Sequence, residues 1–209
     1  MTSPDAETEA LISRAAVGDR AAREDLLVRN RERLRQMIMV RMDRRLLPRL
    51  DASDVVQEVF AEAFQKMSDY LQRRPLPFYP WLRQLAQRRL IDLHRRHVQA
   101  RRRSVTREVG PPGLPDHSAL ALADRLFART SSPSAGLRRQ ERRDRVRAAL
   151  AALPEPDREV LVLRILEALP TRETAAVLGI SEVAVRSRQV RALDRLKVLL
   201  GADFLEGER

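Results

Sequence analysis

Apolar residues along this chain recur at intervals of three and four, the spacing of one face of an α-helix, and almost nowhere alternate as a half-buried strand requires. A first stretch of this kind covers about 5–16. A second begins after Asp19, whose carboxylate can cap it, and runs on as one helix through "AAREDLLVRNRERLRQMIMVRM". In the third, "DASDVVQEVFAEAFQKMSDYL" at 51–71, Asp51 or Ser53 stands at the cap. Val55, Val56, Val59, Phe60, Ala63, Phe64 and Met67 share one of its faces for more than three turns. Three prolines in "RRPLPFYP" then interrupt the chain, and a fourth helix is predicted over about 80–103.

Between 104 and 135 two proline clusters and a serine run surround one short helical candidate at 118–129, the texture of a linker. Helical spacing resumes at about 136–152, 155–168, 171–178 and 181–199. No repeat of fixed period is present. The prediction is an all-α protein. Two small helical domains, 1–103 and 136–209, are joined by a flexible linker at 104–135.

The last predicted helices read as a helix-turn-helix. Ala175 is small where two helices must cross closely, and Gly179 can take the positive φ of a tight turn. Ser181 can cap the second helix, with Glu182 well placed against its dipole. Leu178, Ile180 and Val185 would close the core. Arg186, Ser187, Arg188, Gln189 and Arg191 are the polar candidates on that helix, which fits a major groove where Arg reads guanine and Gln reads adenine. Arg188 departs from repressor-type motifs, which carry an aliphatic residue there.

Composition narrows the partners. The formal net charge of +11 suits an anionic one. Of 40 basic residues only Lys66 and Lys197 are lysine. That is either a composition bias or a use of arginine's fork on phosphates and base edges. Residues 88–107 hold eight arginines and two histidines against Asp92 alone, which Arg88, Arg95 and Arg96 can pair locally. Against this background 51–71 is anomalous: five acids face the single Lys66.

Six of the eight aromatic residues lie between 60 and 81. Phe60, Phe64 and Trp81 fall on apolar stripes and are expected in the core. Tyr70, Phe78 and Tyr79 flank the proline break and are expected to be freer. Aromatics beside a cationic groove are the pattern that holds single-stranded bases.

Other chemistry finds little support. The chain has no cysteine, which excludes disulfides and thiolate metal sites. His94 and His97 stand three apart, but no third ligand has metal spacing, and His117 lies in the linker. No nucleophile elbow, phosphate loop or zinc signature occurs. The chain is read as having no catalytic residue, metal or cofactor. The polar "MTSPDAETEA" is no signal peptide, and no apolar run approaches the roughly 20 residues that span a bilayer. A cytoplasmic protein without membrane association is expected.

Taken together, "LPEPDREVLVLRILEALPTRETAAVLGISEVAVRSRQVRALDRL" resembles region 4 of sigma factors of the extracytoplasmic-function (ECF) group of the sigma-70 family. The matching residues are Leu153-Pro154, Arg158 to Arg164, Ala175, Leu178 to Ser181, Val185 to Arg188 and Arg191-Ala192. Arg188 is ordinary in that family. Gln189 and Val190 depart from its commoner Leu and His, and Thr171-Arg172 from its frequent Ser-Tyr, so promoter preference stays open. "DASDVVQEVFAEAF" and "FYPWLRQLAQRRLIDLHRRHVQARRR" are similar to the region 2 signatures, and "LISRAAVGDRAAREDLLVRN" to the opening helices.

The resemblance implies a dissociable subunit that binds core RNA polymerase at its clamp and flap and directs it to promoter DNA. Asp51, Asp54, Gln57 and Glu58 would meet the clamp. Arg73, Arg74, Phe78, Tyr79, Arg88, Arg89, Arg95 and Arg96 would serve the minus-ten element, with a base pocket at 72–79. Ser181, Glu182, Arg186, Ser187, Arg188, Gln189 and Arg191 would meet the minus-thirty-five duplex. The linker would thread into the polymerase. Control by an anti-sigma factor, a kinase or expression level stays open. The alternatives are a helix-turn-helix regulator that is not a polymerase subunit, a nucleic-acid enzyme, and a sigma-like adaptor that no longer starts transcription.

Overall fold

The computed structural model describes residues 4–42, 51–102, 114–127 and 136–201, and among these no strand occurs. The chain divides into two compact units, Met1–Gly113 and Leu114–Arg209.

The first unit contains α1 (Pro4–Ala16), α2 (Arg20–Arg29), α3 (Arg31–Arg41), α4 (Ala52–Arg73) and α5 (Phe78–Arg102). Asp19 caps α2 by accepting the Ala22 N–H at 3.1 Å and Arg14 Nε at 2.8 Å. These donors, the Ala22 amide foremost, hold its carboxyl below the usual range. The single helix expected from Asp19 onward is instead two. Asn30 interrupts it at φ −95° and ψ 0°, and its buried side-chain amide donates to the Leu26 carbonyl at 2.8 Å. An asparagine amide competes with the backbone for such partners, and the helix restarts beyond it.

Leu26, Leu34, Met37 and Ile38 pack with Val55, Val56, Val59, Ala63 and Met67 of α4 and with Leu82, Leu85 and Ala86 of α5. The apolar face of α4 is narrower than its sequence suggests. Phe60 is partly buried against this core, but Phe64 is 39% exposed, because its position has rotated past the edge of the buried stripe.

The second unit contains α6 (Asp116–Phe127), α7 (Gly136–Ala152), α8 (Glu155–Leu161), a π-helical continuation (Val162–Leu166), α9 (Thr171–Leu178) and α10 (Glu182–Leu200). The helical candidate within the expected linker is α6, and it packs against α7 and the π-helical turn. Leu122 and Ala119 are buried there. Within that stretch, 104–113 and 128–135 lie outside the described residues.

The helix expected over 155–168 widens at Val162, so that the Glu167 N–H reaches the Val162 carbonyl at 3.0 Å. Arg125 Nη1 then bonds the Ile165 and Leu166 carbonyls at 2.6 and 3.0 Å. Ala168 follows in the left-handed region at φ 52°. Gly179, at the turn before α10, has φ 64°, and nothing lies within 4 Å of where a Cβ would stand.

These two positions predict opposite effects. A left-handed backbone costs a residue with a Cβ about 1 kcal/mol or more. Ala168→Gly should therefore raise stability by about 1 kcal/mol, and Gly179→Ala should lower it by about as much on conformation alone. Urea-unfolding midpoints measure both, and shifts of the same sign would contradict this account.

Candidate nucleic-acid and polymerase interfaces

The polar row of α4 begins with a capping residue. Asp51 accepts the Ser53 N–H at 2.9 Å, so it satisfies one of the helix's unbonded amides while remaining exposed. Asp54, in the first turn, complements the helix dipole and is exposed, as are Gln57 and Glu58. The structure thus brings these four to the solvent side of α4, away from Val55, Val56 and Val59.

Glu58 has a partner that spacing does not reveal. Arg89 Nε of α5 donates to its carboxylate at 2.6 Å. That bond raises the Arg89 pKa further above its ordinary value. Among the described residues the ion pair at this part of α5 crosses to α4 instead of joining Asp92 to Arg88, Arg95 or Arg96. A residue expected on the acidic surface and one expected on the basic surface therefore touch.

The other arginines divide similarly. Arg88, Arg95 and Arg96 are exposed along α5. Arg73 lies 3.7 Å from Asp69, an exposed pair of little energetic weight. Arg74 occupies the left-handed C-cap of α4, φ 38°, and reaches Glu9 of α1 at 3.2 Å. His94 is half-buried on α5, and the side chain of His97 lies outside the described residues.

The aromatics require a correction. Tyr70, Phe78 and Tyr79 are 3%, 2% and 3% exposed, not free. Tyr70 stacks on Trp81 with centroids 4.4 Å apart, and Phe78 meets Tyr70 edge-on at 5.5 Å. Tyr70 Oη donates to the Leu76 carbonyl at 3.2 Å, which folds the proline segment back over the stack. Tyr79 Oη donates to the Arg33 carbonyl at 3.2 Å, under the Arg33 guanidinium 3.8 Å from its ring. The prolines did not free these rings: after the turn, Phe78 and Trp81 of α5 close on Tyr70 of α4, and Tyr79 packs against Arg33 of α3. Phe78 and Tyr79 therefore offer no open ring face to a base in this structure.

In the second unit the expected turn is present. Gly179 closes α9, and Ser181 caps α10 by accepting the Ala184 N–H at 3.1 Å. Val185, Ala192 and Leu196 form the buried seam of α10, while Leu178 and Ile180 are half-buried. Arg186, Ser187 and Arg191 are exposed. Glu182 pairs with Arg186 at 3.3 Å and orients it toward the helix N-terminus.

Arg188 and Gln189 flank the seam and are half-buried. The Gln189 amide oxygen accepts Arg164 Nε at 3.3 Å, and the same guanidinium donates to the Leu169 carbonyl. A guanidinium has no acceptor, so Gln189 must turn its oxygen inward. Reading adenine needs both that oxygen and the amide N–H, so the reading expected of Gln189 is not open to it in this geometry.

Comparison with known proteins settles the family. Residues 27–101 match the family model for Sigma-70 region 2, and 143–196 that for Sigma-70, region 4. The chain is 31% identical over 198 residues to the ECF RNA polymerase sigma factor SigD of Mycobacterium tuberculosis, covering 94% of this chain and 85% of SigD. It is 32% identical to ShbA of Streptomyces griseus, another ECF RNA polymerase sigma factor, with 91% and 93% covered. A solved structure of CnrH with the cytosolic domain of CnrY aligns with TM-score 0.52 at 28% identity, covering 94% of this chain and 98% of that one.

The chain belongs to the ECF group of the sigma-70 family.

As an RNA polymerase sigma factor its partners are the core polymerase and promoter DNA, and it acts in transcription initiation. Family matches and geometry now meet on the same helices: α4 and all but the last residue of α5 fall in the region 2 match, and α9 with α10 as far as Leu196 in the region 4 match. Three contacts that shape these surfaces escaped sequence reasoning. Arg33, Arg164 and the tether from Arg89 all join residues too far apart in the chain for helical spacing to signal.

The buried stack has a spectroscopic consequence. Burial pushes the Tyr70 phenol up from 10.0 to about 12. A group raised in the folded state lends stability that is complete below its unfolded pKa and is lost as pH climbs through the folded one. Stability should therefore fall between about pH 10 and pH 12 as Tyr70 ionises. In a Tyr79→Phe background, phenolate absorbance should rise near the upper end of that window, together with loss of helical signal. Ionisation near pH 10 with the fold intact would show an exposed ring.

Proposed function

We propose that α4, α5 and α10 divide the work of this sigma factor among three surfaces. Asp54, Gln57 and Glu58, in a row that Asp51 opens as the cap, engage the polymerase clamp. Arg88, Arg95 and Arg96, with Arg73, Arg74 and Arg89, follow the non-template strand at the minus-ten element. The start of α10, with Ser181, Glu182, Arg186, Ser187, Arg188 and Arg191, meets the minus-thirty-five duplex, and the second unit also contacts the flap.

In this reading region 2 occupies 1–103 and region 4 occupies 136–209. Between them, α6 travels with region 4 because it is docked on α7. The protein is a non-catalytic, cytoplasmic subunit, and nucleotide addition stays with the polymerase. Control by an anti-sigma factor is proposed by analogy with CnrH, which was solved with the cytosolic domain of CnrY.

The observation that carries the reading is the sidedness of α4. One face packs on the core, and the other shows Asp51, Asp54, Gln57 and Glu58 to solvent, with Glu58 paired to Arg89, in a protein of net charge +11. An acidic face is poorly suited to DNA and well suited to a basic protein surface. Glu58 belongs to both surfaces through Arg89, so clamp binding has to exchange or share that ion pair.

Core polymerase and full-length variants test this. Glu58→Arg with Gln57→Ala should abolish core binding, measured by co-elution with core polymerase, while duplex binding through α10 persists. Retained core affinity would refute the assignment. Arg186→Ala or Arg191→Ala should weaken specific duplex binding by about 1–3 kcal/mol if the residue reads a base. If it touches only phosphate, affinity falls alike on all sequences and the salt dependence flattens. Run-off transcription with unaltered protein decides the whole reading, since no promoter-dependent product would sink it.

A further inference from the structure

Two of the most exposed apolar side chains in the second unit stand on the outward face of α10. Val183 is 70% exposed and Val190 58%. They are seven residues apart, so they lie nearly in line, about 10 Å from one another along the helix. Ser187 falls between them, with Arg186 and Arg191 alongside, and the buried seam of Val185, Ala192 and Leu196 faces the opposite way. A β-branched residue on a solvated helix face gains nothing from packing and lowers helix propensity. Single exposed valines are commonplace. Two in line, between the arginines of a helix that meets DNA, form a pattern with a chemical complement.

That complement is the 5-methyl group of thymine, the one apolar group that base pairs present in the major groove. We infer that Val183 and Val190 read thymine methyls in the minus-thirty-five duplex, with Arg186 and Arg191 holding the helix to phosphates or guanine edges on either side. The inference rests on α10 being the recognition helix. It also accounts for the geometry of Gln189. With that amide oxygen turned to Arg164, A·T pairs are not recognised from the adenine side at this position, and discrimination falls to the methyl on the other strand. A cytosine in place of thymine offers only a C5–H there, so the isopropyl group loses the methyl it packs against. Spacing of about 10 Å corresponds to two thymines about three base-pair steps apart.

The test uses holoenzyme assembled from this chain and its cognate core polymerase. The probe is a promoter fragment located by start-site mapping, in which each minus-thirty-five thymine is replaced singly by deoxyuridine. Removing a methyl that is read should weaken binding about fourfold at two positions. Val183→Ala and Val190→Ala, both at exposed sites, should each bind the unmodified promoter about as much more weakly. Each variant should then become indifferent to deoxyuridine at its own position while staying sensitive at the other. Unchanged affinity for every deoxyuridine probe would overturn the inference and leave α10 as the DNA-binding helix. Methyl dependence that persists in both variants would overturn it as well, by placing the effect in DNA shape. Loss of all minus-thirty-five sequence preference by unaltered holoenzyme would instead overturn the reading of α10, and this inference with it.

Discussion

The last carbonyls of a helix have no partner within that helix, and here arginines from other turns repeatedly reach them. Arg23 Nε donates to the Ala15 carbonyl at the end of α1 at 3.3 Å. Arg158 Nη1 bonds the Leu150 and Ala151 carbonyls at the end of α7 at 3.3 and 3.2 Å. Arg145 holds the Leu200 carbonyl at the end of α10 at 3.0 Å, and Arg125 holds those of the π-helical turn. A guanidinium suits this work because it carries several donors in a rigid plane and keeps its charge near the negative end of the helix dipole. The packing of short helices in the second unit depends on these closures. From α7 onward its connections between helices are short, and they expose carbonyls that water alone would otherwise satisfy.

This use of arginine changes what the net charge of +11 means. Only part of it faces outward for DNA. Arg195 is committed to the buried Asp157, joining α10 to α8, and Arg74 and Arg89 tie α4 to its neighbours. Breaking a pair with one buried member strands that member, so Asp157 depends on Arg195 more than an exposed acid would. Arginines without a partner among the described residues, such as Arg88, Arg95, Arg96 and Arg191, are therefore better candidates for phosphate than any count of basic residues suggests.

Much of this was legible in the sequence because the signals are local. The cap at Ser181, the left-handed Gly179 and the buried Val185 depend on residues within a turn or two of each other, and spacing conveys them. The same is true of Asp51 and the apolar stripe of α4. What could not be read was set by contacts between distant residues. Asn30 breaks a helix whose apolar spacing continues through it. Tyr70, Phe78 and Tyr79 look free beside prolines, yet Tyr70 and Phe78 fold inward against Trp81 and Tyr79 against Arg33. Arg164 looks like one more surface charge until the π-helical turn carries it to Gln189.

The π-helical turn links these threads to specificity. By widening the helix at Val162–Leu166 it frees carbonyls for Arg125 and carries Arg164 to the Leu169 carbonyl and Gln189. One side of α10 is thereby tied to the body of the domain by a side chain that the sequence offers as a base reader. In the proposed reading, tying that side inward leaves recognition to the opposite face, which combines arginine with valine. A surface of arginine alone would hold any duplex, since phosphates are everywhere alike. Valines in line with the arginines, as proposed, add contacts that only some base pairs can satisfy, and the position of α10 on its domain and its sequence preference would then have one structural origin.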